Sequence, residues 1–254
     1  KQKTAYEIST RDWSSDVCSS DLGSRLGGCG IARAHSVPMS FDTVARAYRW
    51  IEYAAFGTAL EGCRFRHLDR LKHAQQILIL GEGDGRCVER LLSIAPQASF
   101  TVIDSSAEMI ALAKQRIVHV PGSSERVLFQ HLDARRLTHW PSGEYDAVIT
   151  QFFLDCFTEQ DAWALGDRIA KTLRPDGLWL VSEFYVPTSG SWWRRAHSQL
   201  WLWSMYTFFG LTAKLDTRAL PPVDRLLEEA GIRLLERKES RFGLMASSVR
   251  IRRT

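Results

Sequence analysis

The sequence lacks a long hydrophobic run. Its richest apolar stretch, LWLWSMYTFFGL at 200–211, falls well short of the roughly 20 residues a helix needs to span a bilayer. No membrane-spanning helix is expected. Cysteine is scarce: there are five in 254 residues, none in a CxxC pair. That argues against a disulfide framework and a zinc ribbon, and no metal site is expected. So few thiols suit a reducing compartment, and a cytoplasmic location is the expectation. The front end has no basic start followed by an apolar core, so it does not read as a secretory signal. Its acids Glu7, Asp12, Asp16 and Asp21 do not suit an organelle presequence. Charge of one sign is also missing, with 33 Lys+Arg against 29 Asp+Glu and a net +4. That balance is weak support for a polyanionic partner, and no nucleic-acid partner is expected. The one basic cluster, SSVRIRRT at the C-terminus, reads as a terminal strand with its arginines on the wet face.

Residues 1–22 have no apolar period. In two fixed segments, 1–7 and 12–22, they resemble the translation of a short-read sequencing adapter. A variable index would cover 8–11. The plainer reading is a disordered tail, too polar to offset its ordering entropy. On either reading they are set apart from the fold. Residues 23–38 are Gly-rich and patternless, and Met39 precedes a well-patterned helix. The expectation is a leader over 1–38 and one domain over 39–254, long enough for a core of its own.

Within that domain the pattern alternates. A helical period runs over 41–71 with a break at Gly57. Buried or half-buried strands follow at QILILG, SFTVID, RVLFQHLDA, YDAVITQFF and LWLVSEF. Between them lie the helical stretches RCVERLLSIA, SAEMIALAKQRI and EQDAWALGDRIAKTL, the last ended by the turn signal RPDG. PPVDRLLEEAG is a final helix with Pro at its start and Gly at its end. IRLLERKES and LMASSVRIR then read as an antiparallel pair. The implied architecture is α/β: a doubly wound, Rossmann-like, seven-stranded sheet, mostly parallel with an antiparallel last strand.

The first strand runs into LILGEGDGR. Gly81, Gly83 and Gly85 permit positive φ and a close ligand, and the next helix offers free N–H groups. A dinucleotide fingerprint needs G-x-G-x-x-G, but Arg86 stands where its third glycine belongs. A nicotinamide dehydrogenase is therefore the weaker reading. Asp104 ends the second strand, where a carboxylate can accept the hydroxyls of a ribose; its plain alternative is a helix cap. Asp133 ends the third. A glycine turn and two acids thus share the carboxyl edge of the sheet, where open α/β sheets bind ligands.

With these residues the chain resembles the class I S-adenosylmethionine-dependent methyltransferases over nearly all of 41–254. In look it is nearest to the quinone-ring C-methyltransferase branch. The resemblance implies S-adenosyl-L-methionine as cofactor. It implies that Gly81, Glu82, Gly83 and Gly85 hold the methionine part, and that Asp104 holds the ribose. Ser105 and Met109 would flank the adenine, with Asp133 and Ala134 at its edge. Gln151, Phe152 and Phe153 would face the methionine and the acceptor. The chain departs from the family at Ile79, where an acid is usual two residues before the first glycine; Glu82 supplies a carboxylate nearby.

Methyl transfer from a sulfonium needs orientation first and a base only if the acceptor must lose a proton. Asp155, Glu183 and His197 are candidate bases. Each has a plain reading too: a cap, a strand-end ion pair and an exposed helix residue. The catalytic residue is left open. An insertion over about 188–220 would cover the acceptor. Its aromatic load (Trp192, Trp193, Trp201, Trp203, Tyr206, Phe208 and Phe209), with Tyr48, Trp50, Tyr53 and Phe56 as an opposite wall, favours a small apolar or lipid-like acceptor. Trp beside Arg also suggests peripheral membrane contact through 192–211. The other class of function is a catalytically inactive methyltransferase-fold partner protein.

Overall fold

The computed structural model describes residues 57–140, 142–185, 220–240 and 243–253. The leader, the first part of the 41–71 helix, His197 and nearly all of the 188–220 insertion lie outside these residues. The elements in chain order are α1 (Ala59–Phe65), β1 (Gln76–Leu80), α2 (Arg86–Ile94), β2 (Ser99–Asp104), α3 (Ala107–Ile117) and β3 (Val127–His131). They continue with β4 (Tyr145–Gln151), α4 (Glu159–Thr172), β5 (Leu173–Phe184), α5 (Val223–Glu229), β6 (Ile232–Ser240) and β7 (Met245–Arg252).

The strands form one seven-stranded sheet in the order β3-β2-β1-β4-β5-β7-β6. Pairs from β3 to β5 are parallel, and β7 runs antiparallel to both β5 and β6. This is the doubly wound architecture that the alternating pattern implies. Side chains of successive residues point to opposite faces, and β1 shows the consequence. Leu78 and Leu80 enter one core with Val148, Trp179 and the α4 residues Leu165 and Ile169. Ile77 and Ile79 enter the other with Ile149, Leu91 of α2 and Ile117 of α3. A strand buried on both faces must be apolar at every position, which is why β1 reads as an unbroken run.

Helix starts follow local chemistry. The Ser106 side chain accepts from Met109 N at 3.2 Å, and that of Thr158 accepts from Asp161 N at 3.2 Å. Both are N-caps that satisfy an orphan donor. Ser106, rather than Asp104, caps α3. Gly166 lets α4 lie against α5, since a Cβ there would stand 2.1 Å from Leu226 Cδ2.

Two expectations change. RPDG ends α4, but it does not separate it from β5. The strand starts at Leu173, and 174–177 bulge out of the pairing between Tyr145↔Leu173 and Ala147↔Leu178. Asp176 sits at φ 61 in that bulge. The C-terminal arginines are not all on a wet face either. β7 lies between β5 and β6, an interior position, and Arg250 is only 1% exposed.

Candidate functional site

The strand order reverses between β1 and β4, and the loops leaving their carboxyl ends part to form a pocket. Open α/β sheets bind ligands at such a point. Gly81, Glu82, Gly83, Asp104, Ser105, Met109, Asp133, Ala134 and Gln151 all line it, with Phe152 and Phe153. Gly85 does not.

The three glycines have three different reasons. All have positive φ, at 67°, 72° and 88°. A Cβ on Gly81 would meet Phe153 Cδ2 at 2.6 Å, and one on Gly85 would meet the Ala113 backbone Cα at 2.6 Å. Gly85 thus serves helix packing, holding the start of α2 against α3. A Cβ on Gly83 meets nothing within 4 Å: this is the glycine that keeps the pocket open. The turn is pinned from outside by Asp84, which accepts from Arg86 Nε at 2.9 Å and Arg116 Nη2 at 3.0 Å. Arg86, standing where a dinucleotide site has glycine, is therefore part of the clamp.

Asp104 ties two loops together. Its Oδ2 accepts from Gly83 N at 3.0 Å and its Oδ1 from Ser106 N at 2.9 Å. Asp133 is more fully engaged. Each of its oxygens accepts from Arg135, with the shortest contact 2.7 Å from Nη2. Although burial works the other way, those bonds and the guanidinium charge hold its carboxyl below the usual range. Gln151 Nε2 donates to Arg64 O at 2.8 Å, joining the end of β4 to α1.

Glu82 is the unusual group. Its Oε1 accepts from Cys87 N and Val88 N, each at 3.0 Å, capping α2 from the pocket side. Its Oε2 is buried and has no partner. Burial pushes its carboxyl up to about 8. A desolvated carboxylate oxygen beside a pocket costs free energy unless a donor or a cation meets it. Arg64 lines the same pocket, with its guanidinium 5.4 Å from the Phe152 ring centroid.

Beyond Gln151 the wall is aromatic. Phe152 holds φ 54, and Phe153 packs edge-on against Phe157 with centroids 4.9 Å apart. Cys156 also lines the pocket. Burial, and then the charges of Asp155 and Glu183, hold its thiol well above the ordinary value, so it is no thiolate nucleophile.

Asp155 and Glu183 come together beside this wall but do not line the pocket. Glu183 Oε1 accepts from Leu154 N at 3.0 Å and Phe153 N at 3.4 Å, and Oε2 from Asp155 N at 3.4 Å. The two carboxyls are hydrogen-bonded to each other. Burial raises both, Asp155 to about 6 and Glu183 further. Neither a cap nor a strand-end ion pair describes them: Glu183 holds the 152–156 loop by its backbone N–H groups, with Asp155 beside it. Sequence reasoning missed Arg64, Arg135, Cys156 and Phe157. Arg64 sits on a helix far from any motif, and only the fold brings it to the pocket.

Among the described residues no His/Cys/Asp/Glu group is arranged to hold a metal, and no helix is long and apolar enough to cross a membrane.

Residues 77–177 match the family model described as "Methyltransferase domain". A comparison with curated proteins found no match. Solved structures share the fold at low identity. An O-methyltransferase family protein from Burkholderia thailandensis is 16% identical with TM-score 0.60, covering 84% of this chain and 58% of that one. The 1,6-didemethyltoxoflavin-N1-methyltransferase of the same organism, solved with its substrate and S-adenosylhomocysteine, is 19% identical with TM-score 0.57, covering 84% and 86%. The [4+2]-cyclase SpnF is 16% identical with TM-score 0.54, covering 73% and 78%. The fold is the Rossmann-like fold of these proteins.

Proposed function

We propose that this chain transfers a methyl group from S-adenosyl-L-methionine to a small organic acceptor with a flat, apolar reacting part. The fold alone does not decide the reaction, since a cyclase shares it. The observation that carries the reading is Glu82 Oε2, a buried carboxylate oxygen without a partner in a pocket that also presents Arg64. A zwitterionic amino-acid group matches that pair: its ammonium meets Glu82 and its carboxylate meets Arg64. Asp104 suits ribose hydroxyls and Met109 an adenine face. Ala134 and the Asp133–Arg135 loop suit its edge. Gly83 leaves the space.

S-adenosylmethionine, when bound, supplies a methyl group already activated on a sulfonium. The chain's own work is then placement and exclusion of water. Phe152, Phe153 and Phe157 form a dry wall on the side where β4 and β5 end. Orienting two reactants there is worth several kcal/mol, up to roughly 7–11 for near-ideal alignment. Cys156 stays a thiol. Glu183, with Asp155 beside it, holds the 152–156 loop from outside the pocket. An acceptor of the quinol or phenol type fits the aromatic wall, and peripheral membrane contact and a cytoplasmic location remain part of the proposal. S-adenosylhomocysteine titrated into the whole chain tests it. Binding that weakens about tenfold or more in Glu82→Ala agrees with a cation on a desolvated carboxylate. Equal binding by both would remove Glu82 from the site.

A further inference from the structure

A second pocket opens beyond the aromatic wall. It lies between the ends of β5 and β7, the start of α5 and the middle of β6. The wall between the two pockets includes a pair of aromatic rings. Phe152 on the first packs against Phe184 on the second with ring centroids 4.9 Å apart. Glu183, whose carboxyl accepts from the backbone of the first pocket's loop, faces the second.

This second pocket carries an unbalanced charge. Arg237 and Arg250 both donate an Nη2 to one oxygen, Asp224 Oδ1. Arg250 Nε reaches Ser248 Oγ at 3.3 Å, and its Nη1 is buried with no partner. Arg237 stacks over Tyr185, its guanidinium 5.1 Å from the ring centroid, and its Nε is likewise buried and unpartnered. One carboxylate thus serves two guanidiniums. Arg250 is 1% exposed, where an unmet charge is costly. Burial, opposed by Asp224 and reinforced by repulsion from Arg237, holds Arg250 below its usual value. Burial and the neighbouring Asp155 raise the Glu183 carboxyl well above its ordinary value, which weakens it as a counter-charge. Glu228 favours the Arg250 charge only from a distance. The remaining lining is largely apolar, with Phe184, Leu220 and Val223.

We infer that this pocket binds an apolar carboxylic acid, with its carboxylate on the free N–H groups of Arg237 and Arg250, and that such an acid is the methyl acceptor. Guanidinium forks match a carboxylate in geometry and charge. The apolar body would then lie along Phe184 toward the shared wall. The word acceptor rests on the methyl-transfer reading; the anion pocket does not.

The test is calorimetry on the whole chain at neutral pH with benzoate, benzyl alcohol and inorganic phosphate as probes, and S-adenosylhomocysteine as a separate titrant. Benzoate should bind, and benzyl alcohol about tenfold more weakly or not at all. Arg237→Gln should weaken benzoate about tenfold and leave S-adenosylhomocysteine unchanged. Asp224→Asn frees both guanidiniums and, in a chain that a melt shows to be folded, should tighten benzoate, an effect that a folding artefact in Arg237→Gln cannot mimic. Phosphate binding better than benzoate would overturn the carboxylate assignment. Benzoate failing to bind a chain that does bind S-adenosylhomocysteine would overturn the pocket and spare methyl transfer. The reverse pattern would keep the pocket and remove the acceptor role.

Discussion

Gly85→Ala would put a methyl group 2.6 Å from the Ala113 backbone at a φ of +88°. The left-handed conformation costs about 1–2 kcal/mol for a residue with a Cβ, and overpacking adds about 1–3. Denaturant melts should show the sum. Gly83→Ala has open space around it, so it should cost only the conformational part and instead weaken cofactor binding. The same residue type, two positions apart, divides stability from binding. Glu82 gives a second test at this scale. Its carboxyl is raised from 4.5 to about 8 in the folded chain, so the native state holds an extra proton between those values. Stability must therefore fall as pH rises through that window. Glu82→Gln should flatten this slope, measured by melts from pH 5 to 8. If an ammonium group meets Glu82, S-adenosylhomocysteine binding near pH 7 should release a proton, seen as a binding enthalpy that changes with the buffer's ionisation heat. The sequence disclosed the glycines, Glu82, Asp104 and Asp133, because the spacing of short loops after strands is local information. It did not disclose that Gly85 serves packing, since its neighbour Ala113 lies a helix, a strand and half of the next helix away.

Among elements, the loop joining β4 to α4 depends on β5. Glu183, with Asp155 beside it, accepts three backbone N–H groups from residues 153–155. Removing it in Glu183→Ala leaves buried donors unmet, costing about 2–4 kcal/mol in all. Hydrogen exchange at the Leu154 and Asp155 amides should quicken more than exchange in β1. Exchange that quickens uniformly would mean that the pair supports the whole fold and not this loop. Both carboxyls are raised, so their extra proton also favours the fold at lower pH and is lost as pH climbs past about 6 for Asp155. Asp155→Asn should remove that part of the slope. The strands and the helix order were legible because hydrophobic period and turn residues are read within ten residues. Glu183 looked like a strand-end ion pair and the C-terminal arginines like wet-face residues. Both impressions fail because β5 and β7 turn out to be interior strands. Burial of a charged side chain depends on what covers it, and that is set by sheet order, not by the strand's own sequence. The 174–177 bulge escaped notice for a related reason: RPDG is a good turn, and the turn simply sits inside the pairing of β5 with β4.

At the scale of the molecule, the reversal of strand order between β1 and β4 gathers Gly81, Asp104, Asp133 and Gln151 from four separate loops into one pocket. Occupying it should stabilise the chain by mass action, about 2.7 kcal/mol at a ligand concentration one hundred times Kd. The melting temperature should therefore rise with S-adenosylhomocysteine and not with a nicotinamide dinucleotide. The second pocket places an acid-binding pair on the far side of a single aromatic wall, and an acceptor held there would approach the first pocket past Phe184 and Phe152. The most direct measurement is calorimetric titration of S-adenosylmethionine into the whole chain, with Asp104→Ala beside it. Saturable binding by the wild-type chain, weakened about tenfold or more when two hydroxyl acceptors are lost, is the predicted result. No binding by a chain shown to be folded would contradict the account at its centre.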